Sequence, residues 1–164
     1  WAKEVPGVGD VYVIPLWAGP GTVKVLIMDS NGQPANQDLI EAVQNHIAPD
    51  GNLGGGLAPI GADVTVDAPE VFEVNIALTI VLKDGYSLED VMEDLTANIK
   101  QFLGTFEINT GDRPLDRITV TRLGHVVLST EGIADYSGLT VNNNDEYIEI
   151  PEQEVPILGD VVVT

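Results

Sequence analysis

The sequence has no cysteine, which excludes disulfides, thiolate metal sites and cysteine nucleophiles. It is poor in positive charge. Seven Lys and Arg stand against 26 Asp and Glu, a formal net charge of −19. Nucleic acid is a polyanion, so no nucleic acid is expected as a partner, and anionic bilayers are disfavoured for the same reason. No apolar run approaches the ~20 residues a spanning helix needs, so no membrane span is expected. A secretory leader is not expected either, because Lys3 is followed by Pro6, Gly7 and Gly9 rather than an apolar stretch. There is no Met at position 1, and the chain reads as cut from a longer protein. Aromatic residues are few: two Trp, four Tyr and three Phe.

What is present is a length of 164 residues with 44% hydrophobic content, enough for one large or two small packed domains. Residues 10–17 (DVYVIPLW) and 22–28 (TVKVLIM) flank Ala18-Gly19-Pro20-Gly21 and read as a β-hairpin. Asn36 is placed to cap a helix whose apolar positions, Leu39, Ile40, Val43 and Ile47, follow helical spacing, with Pro49-Asp50-Gly51 ending it. A short strand is expected at 62–67. Over 71–82, Phe72, Val74, Ile76, Leu78, Ile80 and Leu82 alternate with Glu73, Asn75, Ala77, Thr79 and Val81, the pattern of a strand with one buried face. Ser87 caps a second predicted helix, 88–103, with Leu88, Val91, Met92, Leu95, Ile99 and Phe102 on one side. The stretch 116–130 carries both signals. Its β-branched residues favour strand, whereas Val120, Leu123 and Val127 after an Asp116 cap favour helix, the reading preferred here. Strands at 134–141 and 147–150 and a last β segment complete the chain.

The order is ββαβ and then βααββ, not a strict alternation. It predicts an α+β fold: two small α/β sandwich-like units, residues 1–68 and 69–164, with mixed or antiparallel sheets and helices packed on one face. The break falls at Ala68-Pro69.

Motifs that carry chemistry fail on detail. The loop "GNLGGGLAPIG" (51–61) lacks the Lys and the following helix of a phosphate loop. "DSNGQPANQD" begins like a calcium loop, but counted from Asp29 its fifth and twelfth positions hold Gln33 and Ile40; a turn feeding a helix cap accounts for it. "NNNDE" (142–146) reads as a hairpin turn. Glu89, Asp90, Glu93 and Asp94 read as a solvated helix face, not a facing carboxylate pair. His46 and His125 have no ligand-spaced companion, and no serine sits in a G-x-S-x-G elbow. The expectation is no enzyme, no cofactor and no bound metal. Arg113, Arg117 and Arg122, three of seven basic residues within ten positions, form a local positive patch. Pairing with the acidic surplus is the plainer reading of them, and an interface for an acidic partner the sharper one. Loops 51–59 and 104–114 are further contact candidates, with Leu53 and Leu57 the apolar residues of the first.

Taken in order, "VPGVGDVYVIPLWAGPGTVKVLIMDSNGQPANQDLIEAVQNHI", "GLAPIGADVTVDAPE", "EGIADYSGLTVN" and "EVPILGDVVV" resemble the C-terminal portion of the phage baseplate J-like family over nearly the whole chain. The resemblance implies a structural wedge component of a contractile tail baseplate, made in the host bacterial cytoplasm and located in the virion tail. It implies other baseplate and tail proteins as partners, and self-association in the full assembly. It also implies that residues 1–5 end a helix and that 116–130 is helical. A calcium- or carbohydrate-binding adhesion module is the alternative from another class, and a small hydrolase a third.

Overall fold

The computed structural model describes residues 1–49, 55–108 and 117–164. The chain divides into two compact units, Trp1–Glu70 and Val71–Thr164. Both are α+β.

In the first unit a short 3-10 helix, Ala2–Glu4, leads into β1 (Val8–Pro15) and β2 (Thr22–Asp29), an antiparallel hairpin. Its register is broken between Val8 and Asp10. Gly9 lies at this bulge, where a Cβ would fall on the Asp29 carbonyl oxygen, so the close approach of two backbones demands glycine. Helix α1 (Gln37–Ile47) follows, capped as expected by the Asn36 side chain, which accepts from the Leu39 N–H at 2.9 Å. The chain then returns as β3 (Asp63–Asp67), parallel to β2, giving a mixed sheet of order β1-β2-β3. Val43 and Ile47 of α1 pack with Val25, Ile27, Val64 and Val66 of the sheet. Burial of this apolar set is what holds a helix of this length, since short helices are marginal alone.

β3 is an edge strand, and α1 covers that edge with one side chain. Gln44 Nε2 donates to the Val64 carbonyl at 3.1 Å, and Gln44 Oε1 accepts from the Val66 N–H at 2.8 Å. Asp63 donates its N–H inward to Gly21, so Val64 and Val66 present their polar groups outward, and the glutamine amide pairs them as a neighbouring strand would.

In the second unit β4 (Glu70–Leu82) is the central strand of the sheet β6-β4-β8. The predicted alternation holds: Val74, Ile76 and Leu78 are buried while Glu73, Asn75 and Thr79 are exposed. β6 (Ile133–Val141) pairs antiparallel with β4. Beside β8 (Glu154–Val163), Thr164 donates to the Leu78 carbonyl and accepts from the Ile80 N–H, a parallel pattern. Helix α2 (Leu88–Leu103) starts after the Ser87 cap and buries Val91, Leu95, Ile99 and Leu103. Two positions depart from the expected face: Leu88, in the first turn, is exposed, and Leu103 takes a buried place instead.

The segment 116–130 corrects the preferred reading in part. Arg117–Thr119 is a strand, β5, paired antiparallel with β7 (Tyr147–Glu149), and only Val120–Ser129 is helical, as α3. The cap is Thr119, whose hydroxyl accepts from the Arg122 N–H, and the proposed cap Asp116 lies outside the described residues. Both signals were real: β-branched residues build β5, and the helical spacing of Leu123 and Val127 buries α3 against the core that also holds Ile118.

Candidate functional site

The polar motifs of the sequence are used by the fold itself. The Asp29 carboxylate accepts from the N–H groups of Asn31 and Gln33 at 2.8 and 2.9 Å, an Asx turn. Partial burial pulls its pKa up, but these hydrogen bonds outweigh that and hold it below the ordinary aspartate value. Asn144 Oδ1 accepts from Glu146 N–H, and Asn142 bridges to β4 through the Asn75 N–H and the Glu73 carbonyl. Glu89, Asp90, Glu93 and Asp94 are all exposed. His46 Nε2 is 2.9 Å from Glu4, and this hydrogen bond lowers the pKa of the glutamate. His125 lies exposed on α3. Among the described residues no group of three His, Asp or Glu side chains is placed to hold a metal, and no helix is long and apolar enough to cross a membrane.

Arg117 and Arg122 rest on aromatic rings. Arg122, in the first turn of α3, places its guanidinium carbon 5.0 Å from the Phe102 ring centre and 4.8 Å from that of Phe106. The two rings meet edge-to-face, centres 5.3 Å apart. They do so because α2 ends at Gly104: Thr105 and Phe106 turn back, donating to the carbonyls of Phe102 and Leu103. Arg117, on β5, lies 4.8 Å from the ring centre of Tyr147, the residue that pairs with Thr119 across the β5–β7 ladder. The ion pairs among the described residues use Lys3, Lys24, His46 and the amino group of Trp1, not Arg117 or Arg122. Aromatic faces hold these two guanidinium groups. Arg113 and Leu53 lie outside the described residues. Leu57 is exposed.

Sequence reasoning missed the seats of the arginines, Phe102, Phe106 and Tyr147, because each lies far along the chain from the arginine it holds. It also missed Gln44. The signal available for Gln44 was its place on α1 between buried Val43 and Ile47, which turns a polar residue toward the sheet.

Comparison with known proteins accounts for the whole chain. Residues 1–68 match the Baseplate J-like central domain and residues 74–164 the Baseplate J-like protein C-terminal domain. The Phage-like element PBSX protein XkdT of Bacillus subtilis (strain 168) is 33% identical over 165 residues, covering 99% of this chain and 45% of its own length. Baseplate protein gp47 of Escherichia phage Mu is 32% identical over 148 residues, covering 83% of this chain and 37% of its own. The chain therefore spans less than half the length of these relatives. Among solved structures, a chain in the cryo-EM structure of the anti-feeding prophage (AFP) baseplate, 6-fold symmetrised, has the same fold, with a TM-score of 0.65 at 10% identity over 96% of this chain and 35% of that one. Two domain matches in order, filling nearly every position from 1 to 164, make this chain a member of the baseplate J-like family.

Proposed function

We propose that this chain is a structural, non-enzymatic part of a wedge component in the baseplate of a contractile phage or prophage tail. The observation that carries the reading is the ordered match of both family domains along the chain. A relative named as a baseplate protein and a fold neighbour taken from a baseplate agree with it. The partners are other baseplate and tail proteins, with copies of the parent protein associating around the tail, as the six-fold symmetrised assembly of the fold neighbour invites. The parent protein is made in the host cytoplasm and resides in the tail baseplate of the particle. The division into residues 1–68 and 69–164 serves this role by giving two separately packed bodies, each able to hold its own contacts. A wedge then works by differential contact: each state of the baseplate covers different surfaces, and the free-energy difference between those sets drives the switch.

Within this reading Arg117 and Arg122 are contact residues for an acidic partner surface. Their aromatic seats fix the guanidinium groups beforehand, which lowers the ordering cost of forming carboxylate pairs. Arg113, Leu53 and Leu57 are the further interface candidates. The test is charge reversal, Arg117→Glu with Arg122→Glu, in the full-length protein, followed by counting complete tail particles by electron microscopy. Loss of most particles with an unchanged circular dichroism spectrum supports the contact role; normal particle numbers make the patch ordinary surface. Absence of the protein from purified tails would remove the baseplate reading itself.

A further inference from the structure

The sheet of the first unit has two outer strands, β3 and β1. Gln44 closes the β3 edge. The β1 edge is closed differently. Leu16 donates its N–H to the Thr22 carbonyl, which fixes the hydrogen-bonded phase of the β1–β2 ladder. Carried along the register, that phase turns Tyr12 and Ile14 toward β2 and turns Val11, Val13 and Pro15 outward. A strand added antiparallel to this edge would draw on the N–H groups of those three residues. The Val11 N–H is already taken by the carboxylate of its own neighbour, Asp10, at 2.9 Å. Pro15 has no N–H to give. Of the three, Val13 is left, its N–H without a partner among the described residues.

The blocking carboxylate is itself clamped. Asp10 Oδ1 also accepts from the Lys3 ammonium at 2.9 Å, and the Tyr12 side chain donates to the same carboxylate. Partial burial pulls the Asp10 pKa up, but these bonds outweigh that and hold it below the ordinary aspartate value. Lys3 belongs to the 3-10 helix Ala2–Glu4, so the segment leading into the sheet holds the carboxylate in place. The same arrangement recurs in the second unit, where β6 is an outer strand. Ile80 donates its N–H to Thr164 on the β8 side, so its cross-strand partner Tyr136 turns its own N–H away from β4. The carboxylate of the preceding residue, Asp135, takes that N–H at 2.8 Å.

We propose that Asp10 and Pro15 are guards that keep β1 from pairing with β1 of a second copy of this chain. The strand itself makes a second copy the occupant. From Val11 to Trp17 it reads VYVIPLW, rich in β-branched and aromatic residues and without a charge, on a chain of net charge −19. The acidic surplus that keeps copies apart elsewhere is missing here. Uncharged segments of high β-propensity at an open edge are templates for their own kind. Antiparallel pairing of two copies about Val13 sets Val13 opposite Val13 and Val11 opposite Pro15, so the outward backbone groups of the two edges match except at the guarded donors. With both flanking donors removed, Val13 forms a single bonded pair, too short to make a ladder.

The test removes the guards and measures self-association of the purified full-length protein by analytical ultracentrifugation over a concentration series. Asp10→Ala with Pro15→Val should associate about tenfold more tightly than wild type, or more. The Val11 and Val13 amides should gain protection from hydrogen exchange as the concentration rises. Adding Val13→Lys sets like charges opposite each other across the paired strands and should return association to the wild-type level. Pro15→Val alone restores one donor without removing a native bond; it should give a smaller shift in the same direction, and it carries the test should the double variant not fold. Association no tighter than wild type in the folded variants overturns the proposal. So does tighter association with Val13 exchange unchanged, association indifferent to Val13→Lys, or an equal effect from Glu89→Ala, which removes the same charge from an exposed position on α2. The readout uses the purified protein alone and does not depend on the baseplate reading.

Discussion

Replacing Gln44 with Ala tests whether one side chain closes the open edge of the first sheet. The amide of Gln44 makes three hydrogen bonds: to the Val64 carbonyl at 3.1 Å, from the Val66 N–H at 2.8 Å and to the Ala48 carbonyl at 3.2 Å. Val64 and Val66 are buried residues, so water replaces these bonds poorly. At about 0.5–1.5 kcal/mol per bond the loss sums to roughly 2–3 kcal/mol. Alanine returns a few tenths through its better helix propensity. For a unit of this size that predicts a fall in melting temperature of about 10–20 °C. The assay is direct, because both tryptophans of the chain, Trp1 and Trp17, belong to the first unit and report its unfolding by fluorescence. Hydrogen exchange adds a local readout: the Val66 amide should lose its protection in the variant. A destabilisation below about 0.5 kcal/mol, with Val66 still protected, would show that the edge is closed by something other than Gln44.

Three further outcomes follow from the same structure. Gly9→Ala forces a Cβ onto the Asp29 carbonyl at the bulge, and the tryptophan-detected stability should drop by about 2–4 kcal/mol in urea titration. Leu95→Ala opens a cavity at a fully buried position; a loss of about 2–5 kcal/mol should appear in the circular dichroism unfolding transition. Asp29 has a folded pKa below its ordinary value because the Gln33 and Asn31 hydrogen bonds outweigh the upward pull of burial. Its contribution is therefore complete above the unfolded value and is lost as pH falls through the folded one. Wild type should melt higher than Asp29→Ala at neutral pH, and the difference should shrink as the pH falls below the ordinary aspartate range.

The parts of the fold that were legible in the sequence are those fixed by neighbours a few residues away. The Asn36 and Ser87 caps act on N–H groups three residues on, and the alternation of Val74, Ile76 and Leu78 needs only the pleat of one strand. β5 was hidden because three residues make a strand only when a partner is supplied, and its partner β7 lies some thirty residues later. The same three residues end in Thr119, which caps α3, so one short stretch serves a ladder and a helix at once. Asp116 was the better cap by residue type but not by position.

The candidate surfaces divide along the same line. That Arg117 and Arg122 would stand out was visible from their number on an acidic chain. Their seats were not, because Phe102 and Phe106 converge only after Gly104 ends α2 and lets the chain double back. The end of β1 was concealed for the opposite reason. "YVIPLW" reads as a strand running through to Trp17, which would hide its alternate residues. The strand in fact stops at Pro15, and Leu16 turns into the left-handed region. Two apolar residues that periodicity would assign to a sheet are thereby presented to solvent. The apolar pattern records how often a position is covered but not what covers it.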